Sequence, residues 1–188
     1  MVDFGNALLW AKELWKSCLK EGSFAVDATM GNGYDTLTLA RMVGESGRIW
    51  AFDVQDGALE NTTKRLEKEN VLERVRLIRA SHEFMDEYVP EKVDAVVFNL
   101  GWLPGQEHAV TTNTKSTLTA VNKALELLKP GGLLTVCVYP GHEEGRRELA
   151  CLTEWGRALD DRRYDVISRG YENIRLNPPR LIAIVKKQ

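Results

Sequence analysis

The sequence predicts an α/β fold in which a mostly parallel sheet carries helices on both faces. Short apolar segments alternate with amphipathic segments along the chain, as they do in βαβ units. Residues 24–40 predict a strand, a glycine turn and a helix in succession. Residues 48–53 predict a second strand, which again ends in an acid. This succession is typical of the opening of a doubly wound sheet.

Amphipathic periodicity predicts the helices. In the first one, Leu8, Ala11, Trp15 and Cys18 recur at helical spacing among charged residues. The later helices follow similar apolar stripes, and glycine or proline stands at several of their ends. The predicted helices span residues 3–20, 35–42, 57–70, 83–88, 111–129 and 144–159.

Short apolar segments predict the strands. Val93–Phe98 is apolar almost throughout, as central strands of a parallel sheet are. Pro178 and Pro179 belong to the turn before the last strand, because proline cannot donate within a ladder. The predicted strands span residues 24–28, 48–53, 75–80, 93–98, 133–139, 164–168 and 180–186.

The composition is that of a globular protein. With 188 residues, 44% of them apolar and 28% charged, the chain fits one domain over 1–188. No apolar run approaches the roughly 18 residues of a membrane span, so we expect no membrane contact and a cytoplasmic protein. Cys18, Cys137 and Cys151 match neither a zinc site nor a disulfide framework, and no metal site is predicted.

The glycine loop predicts a nucleotide site. Gly31 and Gly33 can adopt positive φ and let a ligand approach the backbone, with helix-start amides facing it. A dinucleotide loop would have a third glycine where Thr36 stands. Asp27, at the end of the preceding strand, would repel a diphosphate and attract an ammonium group. These features favour an amino-acid-bearing nucleotide such as S-adenosylmethionine.

Two further strand ends extend this site. Asp53 lies 20 positions after Gly33, where a carboxylate can bind the two hydroxyls of a ribose, although a solvated acid is the alternative. Ser81, His82 and Glu83 follow the third strand, where an adenine would lie. His82 could stack on the purine or bond to it, but a helix cap built from Ser81 and Glu83 explains the segment equally well.

The fourth and fifth strands end in residues that could bind the substrate that accepts the methyl group. Asn99-Leu-Gly-Trp102 resembles a variant of the (Asp/Asn)-Pro-Pro-(Tyr/Phe/Trp) loop of amino methyltransferases, with Leu100 and Gly101 in place of the prolines. In that loop the amide oxygen and a carbonyl bind the substrate nitrogen, and the aromatic ring stacks on the base. Tyr139 and His142 could bind the acceptor or take a proton, although His142 could also be structural.

Local basic patches are the candidates for RNA contact, since the net charge is only -2. Acids stand beside each of them, so solvated helix faces are the alternative. The patches consist of Arg146 and Arg147, of Arg157, Arg162 and Arg163, and of Lys186 and Lys187.

Seven strands with helices between them and the two acidic strand ends resemble the Rossmann-like class I S-adenosylmethionine-dependent methyltransferase fold, whose last strand is antiparallel. Five motifs resemble, more narrowly, a small bacterial family long labelled rRNA methylases, whose members are tRNA methyltransferases of the wobble uridine. They are Asp27–Thr36, Phe52–Gln55, Ser81–Glu83, Asn99–Gly105 and Tyr139–His142. The resemblance implies methylation of the amino group of 5-aminomethyl-2-thiouridine in the tRNA anticodon region, giving 5-methylaminomethyl-2-thiouridine.

The resemblance and the surrounding loops together give an expected set of site residues. The cofactor set is Asp27, Thr29, Met30, Gly31, Asn32, Gly33, Asp35, Thr36, Asp53, Gln55, Ser81, His82, Asn99 and Leu100. The substrate set is Trp102, Pro104, Gly105, His108, Tyr139 and His142, and the catalytic candidates are Asn99, His142 and Tyr139. Trp102 and Pro140 stand where many relatives have a tyrosine and a histidine.

The same residues are compatible with other functions. A methyltransferase of rRNA or of a small-molecule amine would share the cofactor site. An NAD-linked oxidoreductase is disfavoured by Asp27 and Thr36. A non-catalytic module could bind S-adenosylmethionine without turnover. A homodimer is one arrangement that could grip a substrate as large as tRNA.

Overall fold

The computed structural model describes residues 3–101 and 114–187. Within these ranges the chain forms one seven-stranded sheet and six α-helices. The strands are β1 (Phe24–Asp27), β2 (Arg48–Asp53), β3 (Val75–Arg79), β4 (Val93–Asn99), β5 (Leu128–Val138), β6 (Tyr164–Arg169) and β7 (Arg180–Lys186). The helices are α1 (Ala7–Cys18), α2 (Tyr34–Val43), α3 (Asp56–Lys68), α4 (Met85–Tyr88), α5 (Thr114–Leu127) and α6 (Glu143–Arg157).

The strand order is β3-β2-β1-β4-β5-β7-β6. Strands β1 to β5 run parallel to one another, whereas β7 runs antiparallel to both β5 and β6. This topology confirms the predicted Rossmann-like fold with an antiparallel last strand. The order reverses between β1 and β4, and open sheets of this kind bind ligands at the carboxyl ends of the strands beside such a reversal. The ends of β1, β2 and β4 therefore define the place to look for a site.

Helices cover both faces of the sheet, as predicted. Residues of α1, α2 and α3 form one apolar core with one face, and residues of α4, α5 and α6 form a second core with the other. The four residues of β1 are all buried, with Val26 in one core and Ala25 in the other. A strand buried on both faces explains why its sequence is continuously apolar up to Asp27.

Some predicted boundaries were wrong. Helix α1 begins at Ala7, later than predicted, because the Asn6 side chain caps it by accepting from the Leu9 amide at 3.0 Å. The fifth helix was predicted to reach Lys129, but β5 already begins at Leu128, which pairs with Val93. A register shift along β4 accommodates the segment after Leu128. The predicted start of α5 at residues 111–112 lies outside the described ranges.

Helix length and hydropathy bear on membrane contact. No helix in the described parts of the chain is both long and apolar enough to cross a bilayer.

Candidate active site

The glycine loop joins β1 to α2 in a conformation that requires glycine. Gly31 and Gly33 have φ of 49° and 76°, and the Gly33 amide donates to the Met30 carbonyl at 2.8 Å. A Cβ atom on Gly33 would lie 2.8 Å from the Thr62 side chain of α3. The Gly31 amide donates to Oδ2 of Asp53 at 3.1 Å. The loop is thus held against both α3 and the end of β2.

Asp27 ends β1 as a buried carboxylate, with 1% of its surface exposed. Its Oδ1 accepts from the Thr29 amide at 3.1 Å, and its Oδ2 accepts from the Thr36 hydroxyl at 2.6 Å. Burial, reinforced by the negative charge of Asp35, raises the pKa of Asp27 to about 7. A cation bound next to Asp27 would favour its ionised form. Thr36, which the sequence analysis marked as a missing glycine and placed in the cofactor set, holds this carboxylate in place.

Asp53 ends β2 and turns its carboxylate back towards the glycine loop. Besides the Gly31 amide, it accepts from the Gln55 amide at 3.0 Å through Oδ1. Burial raises the pKa of Asp53 above its usual range. Asn32 of the loop turns towards α3, where its side-chain oxygen accepts from Asn61 at 2.9 Å and its carbonyl from Arg65 at 2.7 Å.

His82 lies below the end of β1. Its Nδ1 is 3.2 Å from the Ala28 carbonyl and its ring meets Phe98 edge to face at 5.6 Å. Because a carbonyl only accepts, Nδ1 carries the proton, and burial lowers the pKa of the ring so that it stays neutral. The Nε2 atom is then a buried acceptor without a partner among the described residues.

Ser81 and Glu83 do not form the helix cap that the sequence left open. The Ser81 hydroxyl donates to the Glu83 carboxylate at 3.0 Å, and no side-chain bond from Ser81 reaches the backbone of the 3₁₀ turn that follows, His82–Phe84. The two side chains satisfy each other instead of the amides of that turn. The alternative prediction, that Ser81 and Glu83 cap a helix, is therefore wrong, because neither side chain bonds to the backbone amides of the turn.

Asn99 ends β4 directly across from the glycine loop. Its backbone amide donates to the Thr29 hydroxyl at 2.7 Å, and its side-chain nitrogen donates to Oδ2 of Asp35 at 3.0 Å. Its side-chain oxygen is buried and has no hydrogen-bond partner within residues 3–101 and 114–187. Leu100 is also buried, and its amide continues the ladder to Cys137 at 2.9 Å. The Asn99 amide thus offers one acceptor to a ligand.

Lys12 joins this group from α1, and sequence reasoning missed it. Its ammonium lies 3.2 Å from Oδ1 of Asp35 as an ion pair whose angles fall outside those of a hydrogen bond. Helix α1 is docked on the sheet through the Trp15 indole, which donates to the Thr135 hydroxyl at 2.8 Å. In sequence Lys12 looks like Lys16, which pairs with the exposed Glu13 on the same helix. Only the docking of α1 distinguishes the two lysines.

Tyr139 and His142 follow β5. Burial, with the charges of Cys137 and Asp35, raises the pKa of Tyr139 to about 12, while donation from the side-chain NH₂ group of Asn99 to the phenol oxygen opposes the shift. The phenol therefore stays neutral at neutral pH. His142 caps α6, because its Nδ1 accepts from the Gly145 amide at 3.1 Å. The Nδ1 lone pair of His142 is therefore used in capping α6, which is the structural role that the sequence left as an alternative.

The structure brings most of the predicted cofactor residues to one edge of the sheet, around the ends of β1, β2 and β4. The predicted substrate residues Trp102, Pro104, Gly105 and His108 lie outside the described ranges. Inside those ranges no group of three His, Cys, Asp or Glu side chains could hold a metal ion. Several cations of the predicted basic patches are ion-paired. These are Arg147 with Glu143, Arg157 with Glu154, Arg163 with Glu126, and Lys187 with Asp165.

Comparison with known families gives one match over most of the chain. A family model described as "Putative rRNA methylase" matches residues 49–185. A curated relative from Arabidopsis thaliana, named tRNA (mnm(5)s(2)U34)-methyltransferase, chloroplastic, is 39% identical over 159 residues, which are 79% of this chain. The chain spans 58% of that relative's length.

Two solved structures resemble the whole described fold. A crystal structure named as an rRNA-methylase from Clostridium thermocellum matches with a TM-score of 0.96 and 41% identity, over 98% of this chain and 100% of that one. A methyltransferase structure from Streptococcus mutans, in complex with SAH, matches with a TM-score of 0.89 and 34% identity, over 99% of both chains.

Proposed function

Because the chain belongs to this rRNA methylase family and has the class I S-adenosylmethionine-dependent methyltransferase fold, we propose that it methylates RNA. We further propose that the acceptor is the amino nitrogen of 5-aminomethyl-2-thiouridine at the wobble position of tRNA, and that the product is 5-methylaminomethyl-2-thiouridine. The Arabidopsis relative, named for that nucleoside, supports this choice over rRNA.

The residues present suit S-adenosylmethionine as the cofactor. Asp27 is a buried carboxylate that would pair with the α-ammonium group, and Asp53 would accept from the ribose hydroxyls. The Nε2 atom of His82, which has no partner within the described ranges, would accept from the adenine amino group. The other members of the proposed cofactor set are Thr29, Met30, Gly31, Asn32, Gly33, Thr36, Gln55, Ser81 and Leu100, whereas Asp35 and Asn99, which the sequence also placed at the cofactor, are assigned to the acceptor side of the site.

The observation that carries the methyl-transfer proposal is the side-chain oxygen of Asn99, which is buried and has no hydrogen-bond partner in the described parts of the chain. The bound sulfonium supplies a methyl group that is already activated, so the protein has mainly to align the acceptor and exclude water. Asn99 would accept an N–H bond from the amine and leave the nitrogen lone pair for the methyl carbon. A neutral amide selects a neutral amine, since it brings no charge to hold an ammonium ion.

The acceptor amine must lose a proton, because an alkyl amine is protonated near neutral pH. Tyr139 is a neutral phenol and can relay a hydrogen bond but is a poor base in that form. His142 would have to give up the cap of α6 to take a proton at Nδ1. We therefore assign these two residues to binding of the nucleoside and leave deprotonation to a water path, with Trp102, Pro104, Gly105 and His108 completing the nucleoside site.

Mass spectrometry of wobble nucleosides tests this function directly. In a strain that lacks the gene we expect 5-aminomethyl-2-thiouridine to accumulate, and wild-type protein with S-adenosylmethionine to convert it in isolated tRNA. Protein carrying Asn99→Ala should not restore the product. Persistence of the fully methylated nucleoside in the deletion strain, with no second enzyme responsible, would remove the tRNA assignment.

Three simpler measurements address the rival functions. Titration with S-adenosylmethionine and with NAD should show binding of the first alone. Binding without turnover on any RNA would favour a non-catalytic module, and turnover on rRNA or a free amine alone would favour the other methyltransferases. We also propose a cytoplasmic homodimer, which light scattering and fractionation can test.

A further inference from the structure

The orientation of the Asn99 amide is decided by two residues outside the proposed nucleoside site. We infer that Asp35 and Lys12 are positioning residues that hold the side-chain oxygen of Asn99 towards the acceptor nitrogen. The catalytic consequence rests on the proposed function, whereas the orientation itself does not.

Asp35 distinguishes the two ends of the Asn99 amide chemically. An ionised carboxylate can only accept, so the Asn99 atom 3.0 Å from Oδ2 of Asp35 must be the nitrogen. The oxygen is then the atom left buried without a partner among the described residues. The backbone of Asn99 is fixed separately through Thr29. The amide is therefore oriented before any substrate arrives.

Lys12 holds the other oxygen of Asp35. The Asp35 side chain is 9% exposed and adds to the negative charge around the buried Asp27. The Lys12 ammonium lies 3.2 Å from Oδ1 of Asp35, and its own side chain is only 26% exposed, so the ion pair is partly shielded from solvent. The two oxygens of Asp35 are thus used by Lys12 and by Asn99.

This use of both oxygens gives Asp35 a role different from direct cofactor binding, and the two roles differ in kinetics. A positioning residue should change turnover and leave the affinity for S-adenosylhomocysteine nearly unchanged. A cofactor ligand should change that affinity first.

The D35N substitution keeps the size of the side chain but removes one of the two acceptors. Lys12 would attract the introduced amide oxygen, so the introduced NH₂ group would face Asn99 and turn its amide around. We expect kcat to fall between about 10-fold and 100-fold, since small misplacements of reacting groups have effects of this size. The KM for tRNA and the Kd for S-adenosylhomocysteine should change by less than about 3-fold.

The double variant K12M/D35N is the sharper test. Without the ammonium, the introduced amide can turn its oxygen to Asn99 and restore the original orientation, so we expect kcat to recover at least about 5-fold over D35N. The matched control is K16M/D35N, because Lys16 lies on the same helix in an exposed ion pair. It should show no recovery.

Two results would overturn the inference. One is K12M/D35N being no more active than D35N, with both variants folded by circular dichroism. The other is a loss of S-adenosylhomocysteine affinity above about 10-fold in D35N with kcat unchanged.

A measurement without substrate keeps the inference separate from the proposed function. In the wild-type complex with S-adenosylhomocysteine, NMR should show one side-chain amide proton of Asn99 shifted downfield by a bond to a carboxylate. Absence of that shift would overturn the inference, even if D35N fails to fold. Failure of the wild-type protein to methylate any RNA would contradict the proposed function, but it would leave the NMR shift of the Asn99 amide proton unaffected.

Discussion

The side-chain nitrogen of Asn99 lies 3.0 Å from Oδ2 of Asp35, and this bond joins the end of β4 to the first turn of α2 across 64 residues of sequence. It crosses the point where the strand order reverses. One end of the amide is thereby committed to the protein, and the other remains for a ligand. Substitutions around this bond can therefore separate cofactor binding from methyl transfer.

Replacing Asn99 by alanine should reduce kcat by about 100-fold, because the acceptor amine loses the group that orients it. The Kd for S-adenosylhomocysteine, measured by calorimetry, should stay within about 3-fold. Asn122→Ala, on the outer part of α5, is the matched control and should leave both quantities unchanged. A large loss of cofactor affinity in Asn99→Ala would make Asn99 a cofactor ligand instead.

Replacing Gly33 by alanine should destabilise the protein by about 2–4 kcal/mol, since φ of 76° is unfavourable for a residue with a Cβ and Thr62 would be only 2.8 Å away. Urea unfolding measures this loss. Gly141→Ala is the control, because nothing lies within 4 Å of its added methyl group. Equal stability of the two variants would contradict the close packing of the loop on α3.

Cofactor affinity should rise with pH up to about 7. The pKa of Asp27 in the folded protein is about 7, above the usual 3.8, because of burial first and of Asp35 and Asp53 next. Because the pKa of the Asp27 carboxyl is raised in the folded protein, its ionisation lowers the stability of the unliganded protein as pH rises from about 4 to 7. A bound ammonium group stabilises the ionised carboxylate and offsets this loss. Binding of S-adenosylhomocysteine between pH 5.5 and 7 should therefore strengthen with pH and release a proton.

Calorimetry in two buffers of different ionisation enthalpy measures that proton. The isosteric variant Asp27→Asn should bind more weakly and with little pH dependence over the same range. A wild-type affinity that does not vary between pH 5.5 and 7 would argue against an ammonium beside Asp27.

Replacing Trp15 by phenylalanine should cost about 1–2 kcal/mol of unfolding free energy, because the buried Thr135 hydroxyl loses its donor. A double-mutant cycle with Thr135→Val isolates the bond. The coupling energy should favour the wild-type pair. Additive effects of the two substitutions would show that the bond does not contribute to docking α1.

Replacing His142 by alanine should cost about 1 kcal/mol through loss of the cap of α6, whereas His142→Asn should keep most of that stability, since asparagine is a good N-cap. Thermal unfolding of both variants measures this difference. If turnover is lost in both while His142→Asn remains stable, His142 acts on the nucleoside as well as on the helix.

The sequence was informative wherever the signal was local. An apolar run that ends in Asp27, Asp53 or Asn99 is visible in a few residues, and parallel strands necessarily bring such ends to one edge of the sheet. The cap formed by His142 also had a local signal, because Glu143 and Glu144 follow it at a helix start, although the sequence analysis left its role open.

By itself, then, the sequence determined the fold class, the order of the elements and the strand ends that surround the site. Only the tertiary structure decided that Lys12 meets Asp35, that Asp35 orients Asn99, and that Thr36 holds Asp27. Helical periodicity assigns a residue to a face of its own helix, but the partner it meets depends on how that helix packs on the sheet. Contacts between residues that are far apart in sequence are fixed by that packing.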